Sequence, residues 1–285
     1  MSSFFFLSSA IKQWLSDISN LRKTPYDSKS GRLLRFDGLK VNSLRPEHLA
    51  SLACLFEEWY KKGEVNLNIE TNSPVGSYLF NQLQLSEYWA GKKNYSKSKQ
   101  DSILNLWRIV EEEKEVHGRR VSEYLKNAYF KKKDLSAVEN SLTEAYYNIF
   151  DHAHADGNAF TMLDFNQTEG VLHVAVCDFG IGIAKSVQNF LGEEIFDTDA
   201  LRKAIETNFT VKSASYNAGQ GLQNIIDSCT DDDKVCICSN SALLTIKGDS
   251  KRVEKLSFDF EGTLLFYSMS LSHFDDEEVL SELKW

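Results

Sequence analysis

Glu144, Asn148 and His152 recur four residues apart, so on a helix they share one side, with Asp151 beside them. A carboxylate at Glu144 can orient or deprotonate an attacking water or hydroxyl. One turn on, the Asn148 amide oxygen is a hard donor suited to Mg²⁺, an ion that keeps several waters and takes few protein ligands. Asp178 follows the apolar run 171–177 and opens the loop Asp178-Phe179-Gly180-Ile181-Gly182. A carboxylate at a strand end can accept from an exocyclic amine, while Gly180 and Gly182 permit positive φ and close backbone approach to a flat ring. Further on, Gly219-Gln220-Gly221-Leu222 precedes a helical stretch, whose N–H groups and positive end attract phosphate. An amine acceptor, a metal donor and a phosphate cradle are what nucleotide binding demands, and together they predict one ATP-binding site. Singly, each signal is weak: such a glycine loop is often only a tight turn, and Glu and Asn on a helix usually face water.

The elements that must hold these groups are legible in outline. Leu135, Val138, Leu142, Ala145 and Ile149 form one apolar stripe at helical spacing, predicting a helix over 134–153 capped by Asp134. Segments 159–165 and 171–177 read as a strand pair. A stretch of unassigned type over 184–196 comes next, then helices at 199–207 and 221–229, and strands at 234–238, 242–247, 256–260 and 262–271 close the sheet. Upstream, Ile11, Trp14, Leu15 and Ile18 mark a helix, 33–41 a strand, and Pro46 onward a second helix with Ser43 as cap. Residues 64–70 alternate as a strand does, the pattern turns helical after Pro74, and 102–119 reads as helix dense in Glu. The fold class predicted is α/β or α+β. The expected domains are a small α/β unit over 1–95, a helical connector over 96–133 and a nucleotide-binding domain over 134–285. The basic, polar run 91–100 is expected to be a solvated linker.

The totals bound the function. In 285 residues with 42% hydrophobic and 26% charged content there is room for one large domain or two ordinary ones. A net charge of -9 argues against non-specific binding to nucleic acid or an anionic membrane. Five cysteines, an odd number without a CxxC pair, fit buried free thiols in a reducing compartment. No apolar window is long enough for a membrane span and 1–7 lacks a basic signal region, so a cytoplasmic location is expected.

Residues 134–271 resemble the GHKL ATPase superfamily, whose members share the Bergerat nucleotide-binding fold. Glu144, Asn148 and His152 match its N box, Asp178, Gly180 and Gly182 its first glycine box, and Gly219, Gly221 and Leu222 its second. Gly262-Thr263 resembles the pair that completes the adenine pocket. The resemblance implies an α/β sandwich with a mixed sheet and helices on one face. It further implies that Asp178 and Thr263 hold adenine, that Asn148 holds Mg²⁺, that Glu144 is the general base, and that 184–218 form an ATP lid. Among branches, the anti-sigma-factor-type serine kinases use Glu, Asn and His at this spacing. Residues 32–90 are similar in element order to the STAS-like domains that accompany such kinases. The resemblance as a whole implies a bacterial regulatory protein binding ATP or ADP, with a protein partner engaged through the N-terminal segment and a homodimer open to it.

Alternatives carry less. A histidine kinase needs a phospho-acceptor helix, and His117 lacks the Glu and Pro of that pattern. His152 and His154 with Asp151 and Asp156 suggest Zn²⁺ or Mn²⁺, yet on a continuing helix the two imidazoles diverge. Asp231-Asp232-Asp233 lacks the spacing of a Ca²⁺ loop, and Lys131-Lys132-Lys133 reads as a solvated helix end. The rival to an enzyme is a nucleotide-gated interaction module without significant catalysis.

Overall fold

The computed structural model describes residues 4–6, 10–27, 29, 31–36, 38–63, 67–69, 73–89, 92, 105–150, 155, 159–206, 221–227, 229–271 and 274–276. Hydrophobic residues collect on both faces of one large sheet, and the helices divide between those faces. Among the described residues the sheet has seven strands: β4 (Asn105–Arg108), β5 (Ala159–Asn166), β6 (Val171–Asp178), β7 (Lys234–Ser239), β8 (Ala242–Lys247), β9 (Ser250–Lys255) and β10 (Thr263–Ser270). Their order is β4-β5-β6-β10-β7-β8-β9, and every neighbouring pair is antiparallel. The mixed sheet expected from the family resemblance is therefore corrected to an antiparallel one. Its turns explain this: β5–β6, β7–β8 and β8–β9 are joined by connections too short to carry a chain back for parallel pairing. A second, parallel sheet orders β1 (Phe4–Phe6), β2 (Arg32–Arg35) and β3 (Leu67–Ile69). The fold class is α+β.

On the first face lie α5 (Lys114–Ala128), α6 (Ser136–Asn148), α7 (Ile183–Leu191), α8 (Asp197–Ala204) and α9 (Gly221–Asp227). The stripe Leu135, Val138, Leu142, Ala145 and Ile149 is buried there against Val174, Val176 and Leu265. Asp134 does not cap α6: Leu135 holds that position and makes no side-chain capping bond, while Asp134, one residue earlier, accepts the Ser136 N–H at 2.9 Å in a local turn. The second face is covered by α1 (Ile11–Lys23) and α2 (Pro46–Lys61), with α3 (Pro74–Ser77) and α4 (Ser86–Trp89) further along the same segment. Trp14, Phe56, Trp59 and Tyr88 share one core with Phe160, Cys177 and Leu264 of the sheet. The expectation of helices on one face is thus corrected: the sheet is covered on both, and the N-terminal segment supplies the second layer. Each fully buried aromatic contributes roughly 1.5–3 kcal/mol to holding that layer down.

Three local expectations fail for identifiable reasons. Residues 105–108 form edge strand β4 rather than helix, because four residues present too little alternation to outvote the glutamates that follow. The strand expected at 256–260 is displaced to β9, whose sequence SKRVEK is polar because its side chains are half-exposed or exposed. Ser43 does not cap α2: it sits in a single 3₁₀ turn and donates to the Lys40 carbonyl, and Arg45 occupies the flanking position. The expected linker 91–100 lies almost wholly outside the described residues. All five cysteines are free and four of them are buried. Among the described residues, no helix is long and apolar enough to cross a membrane.

Candidate functional site

Strand alternation puts one row of side chains on the α6 face at the end of four adjacent strands. Asp178 pairs in register with Ala159 on β5 and Thr263 on β10, and Thr263 pairs in turn with Ser239 on β7. Asp178 is 1% exposed. Its carboxylate accepts the Gly180 N–H at 2.8 Å, closing the loop after β6 on itself. Burial pushes the Asp178 carboxyl up to about 7, against the pull of the Gly180 N–H, the Arg22 guanidinium and the Thr263 N–H. The buried Thr263 hydroxyl lies beside this carboxylate and helps hold it charged, though no hydrogen bond of full geometry joins it to a partner among the described residues. The row thus sets a buried acceptor and a buried hydroxyl side by side.

Two glycines make this arrangement possible. Gly182 has φ +84°, and a Cβ there would lie 2.3 Å from Asn240 Oδ1. Gly262 has φ +147°, and a Cβ would lie 2.3 Å from the Asp178 carbonyl oxygen. Gly180, expected to need the same freedom, is not among the residues of positive φ; its contribution is the N–H to Asp178. Between the loops stands Asn240, which donates to the Ile181 carbonyl and accepts from the Lys185 N–H, while Ser239 accepts from the Ala184 N–H. These side chains hold the first turn of α7, so the loop 179–182 is latched to the β7–β8 turn. The sequence marks Ser239-Asn240-Ser241 as a turn; nothing in it says that the turn grips a loop almost sixty residues earlier.

α6 brings its polar edge toward the same row. Ser141 bonds the Tyr267 hydroxyl at 2.9 Å, and Tyr267 lies opposite Val174. Tyr146 donates to Thr161 at 3.4 Å, and Thr161 lies opposite Val176. The helix thus advances along β6 by two residues toward Asp178 between these contacts, and its C-terminal end, with Asn148, continues in that direction. Glu144 and Asn148 are half-buried. Asn148 donates from its amide nitrogen to the Glu144 carbonyl at 2.8 Å; its amide oxygen is the atom of the group able to take a cation. α9, headed by Gly221, packs against α6, and Leu222 is buried in the shared core. Ile181 is half-buried within the latched loop. Asp151, His152 and Gly219 lie outside the described residues, as does the His154 of the alternative metal pair.

Arg22 of α1 was missed, because a cation in the last turn of a helix reads as dipole compensation. In the fold it crosses to the site's back wall. It donates to the Phe260 and Glu261 carbonyls, both at 2.6 Å, pairs with Glu58, and lies 3.8 Å over the Phe179 ring. His117, weighed as a phospho-acceptor, is buried between Trp107 and Tyr146, its Nδ1 2.6 Å from the Tyr146 hydroxyl. Burial drives its pKa down to about 3, so it stays neutral and inaccessible, a structural role. Asp233 of the Asp231–233 run is spent on the Thr230 and Ser270 N–H groups. Among the described residues there is no group of three or more His, Cys, Asp or Glu placed to hold a metal ion. No family model matches the chain, and neither does any curated protein.

Proposed function

We propose that the chain binds Mg-ATP between α6 and the end of the large sheet. The observation that carries this is the register of Asp178 with Thr263: a buried carboxylate beside a buried hydroxyl, on the face that α6 covers. That pair suits the amine edge of adenine, which offers a donor to the carboxylate and a ring nitrogen to the hydroxyl. It accords with the resemblance to GHKL ATPases. Asn148 would take Mg²⁺ as one oxygen ligand, the phosphates and water supplying the rest. Glu144, one turn back, would orient the attacking water or a Ser/Thr hydroxyl of a partner protein. Because Asp178 is 1% exposed, adenine reaches it only after the covering segments part, so association slower than diffusion is expected.

Titration of the full chain with ATP and Mg²⁺, followed by turnover with labelled ATP, tests this. Saturable Mg-dependent binding is expected, with Glu144→Gln keeping affinity and losing at least about tenfold in rate. Unchanged turnover removes Glu144 from the chemistry, and absence of ATP binding removes the site. Label recovered on a co-purifying protein would favour phosphoryl transfer over hydrolysis.

A second reading, a nucleotide-gated interaction module, is favoured by Arg22. It ties α1 directly to the loop that precedes Thr263, so ordering that loop on ATP would be felt in the N-terminal layer. Amide exchange of α1 and residues 260–263 with and without ATP separates the two: protection in both segments is expected from gating, and protection in neither excludes it.

A further inference from the structure

The face under α1 and α2 is apolar along most of its length, then changes character at one rung. Asp164, His173 and Ser268 lie opposite one another on β5, β6 and β10, and the Lys234 N–H bonds Ser268 from β7. Four adjacent strands therefore turn polar together on a face whose next rung is Met162, Ala175 and Phe266. This rung is at the opposite end of the strands from Asp178 and on the opposite face. Above it stands the start of α2, and between them opens a cleft of about 370 Å³ lined by Arg45, Glu47, His48, His173, Lys234 and Phe266.

The charges in this cleft are sorted by depth. Glu47 is 8% exposed, and among the described residues its carboxylate bonds only its own backbone N–H. Burial raises its pKa, while Arg45 and Lys234 pull it down, so both cations act on it through the field. Neither forms an ion pair with it, and the Arg45 guanidinium has no partner among the described residues. Arg45 and Lys234 are exposed at the rim. Asp164 is likewise raised by burial, and His173 is lowered by burial and by Arg45, so the imidazole adds no third cation near neutrality. The buried acid lies below and the two bases above with no ion pair between them among the described residues, the Lys234 ammonium also reaching the Cys236 thiol. Their separation fits a ligand carrying both signs, with an apolar body on Phe266 and Ile11, which completes that side of the lining.

We propose that this cleft binds a small zwitterion of the amino-acid class, its ammonium on Glu47, its carboxylate on Arg45 and Lys234, and its side chain against Phe266. The assignment is independent of the nucleotide site. L-Phenylalanine and L-leucine are the probes, compared by calorimetric titration of the full chain with phenethylamine, which lacks the carboxylate, and 3-phenylpropanoate, which lacks the ammonium. Saturable binding of phenylalanine at least about tenfold tighter than either one-charge analogue is expected, a difference of about 1.4 kcal/mol. Arg45→Gln with Lys234→Gln should abolish the advantage of phenylalanine over phenethylamine. Glu47→Gln should instead bring phenylalanine down to 3-phenylpropanoate. Arg45 and Lys234 are exposed, so their replacement leaves the core intact even if Glu47→Gln does not fold. Lack of saturation by about 10 mM, well beyond a mM-range Kd, overturns the proposal. So does 3-phenylpropanoate binding as tightly as phenylalanine, or wild-type affinity in the doubly substituted rim.

Discussion

The two faces of the large sheet each end in a polar rung, and the two rungs are built on opposite plans. On the α6 face the row through Asp178, Thr263 and Ser239 is sealed, with exposures of 1%, 7% and 0%, and its shape is set by backbone. Gly182 and Gly262 let two loops close to within a carbonyl's width of each other. On the α2 face the rung through Asp164, His173, Ser268 and Lys234 lies under an open cleft, and its shape is set by side chains of both signs. One site is preorganised by what glycine permits, the other by charges held apart. A substitution that alters backbone should therefore damage the first severely, while the second should respond only to changes of charge.

The sharpest break in that contrast is Gly262→Ala. The new Cβ would meet the Asp178 carbonyl, which is backbone and cannot swing aside, at a φ that L-residues rarely adopt. A loss of about 4 kcal/mol in folding stability is expected, read by urea denaturation. A loss under about 1 kcal/mol would mean that the loop has slack, and that the sealed site is no more rigid than the open one.

Arg22→Met should come next, at about 3 kcal/mol, because it strips two carbonyls and the Glu58 carboxylate of a donor that is itself 8% exposed. It also removes the cation that steadies ionised Asp178. The thermal midpoint should drop and ATP should bind more weakly at neutral pH. Stability lost with ATP affinity unaltered would confine Arg22 to packing.

Asp178→Asn separates ligand from fold. ATP affinity is expected to fall about hundredfold, the worth of a charge-assisted hydrogen bond in a buried place. The apo protein should behave the other way. The folded carboxyl titrates near 7 instead of its ordinary value of 3.8, so the folded state holds this proton more tightly than the unfolded chain does. Asp178 therefore favours the fold fully below about pH 4, and that advantage is lost as pH rises toward 7, with a slope of up to about 1.4 kcal/mol per unit. Asparagine should erase this slope and raise the melting temperature at neutral pH. ATP binding to the wild type should strengthen over the same window as the acceptor ionises; a flat profile in both measurements would remove the buried carboxylate from the site.

What could be read in the sequence divides along the same line. The helix of Leu135 to Ile149, the strand pair and the loop after Asp178 announce themselves through period and glycine, since backbone geometry restricts which residues can occupy them. The pairing of Asp178 with Thr263 came only from the resemblance, because 85 residues of chain separate them and register is a tertiary fact. Arg22, Asn240 and the cleft under α2 left no local trace. Arg45 at a helix start and Lys234 at a strand start each look like ordinary solvated ends, and only the antiparallel order β6-β10-β7 brings Lys234 beside Ser268 and His173. β9 was displaced for a related reason: an exposed edge strand has no buried side from which a period could be read.

The smallest effect is expected where the two layers touch through solvent. Lys12 of α1 reaches Glu254 of β9 at 2.7 Å, the shortest approach between that helix and the sheet's far edge among the ion pairs described. The distance suggests a clamp, but the lysine is 56% exposed and the glutamate 26%, so water and salt screen the pair while two long side chains lose freedom to make it. Lys12→Ala should cost under about 0.5 kcal/mol at physiological salt, and less still as ionic strength rises. The N-terminal layer is held by Trp14 and its neighbours in the shared core, not by this pair. Urea denaturation at low and high salt decides the matter. A salt-sensitive loss above about 1 kcal/mol would show that charge, and not only buried aromatic surface, fastens α1 to the sheet, and the open face would then resemble the sealed one more closely than its packing implies.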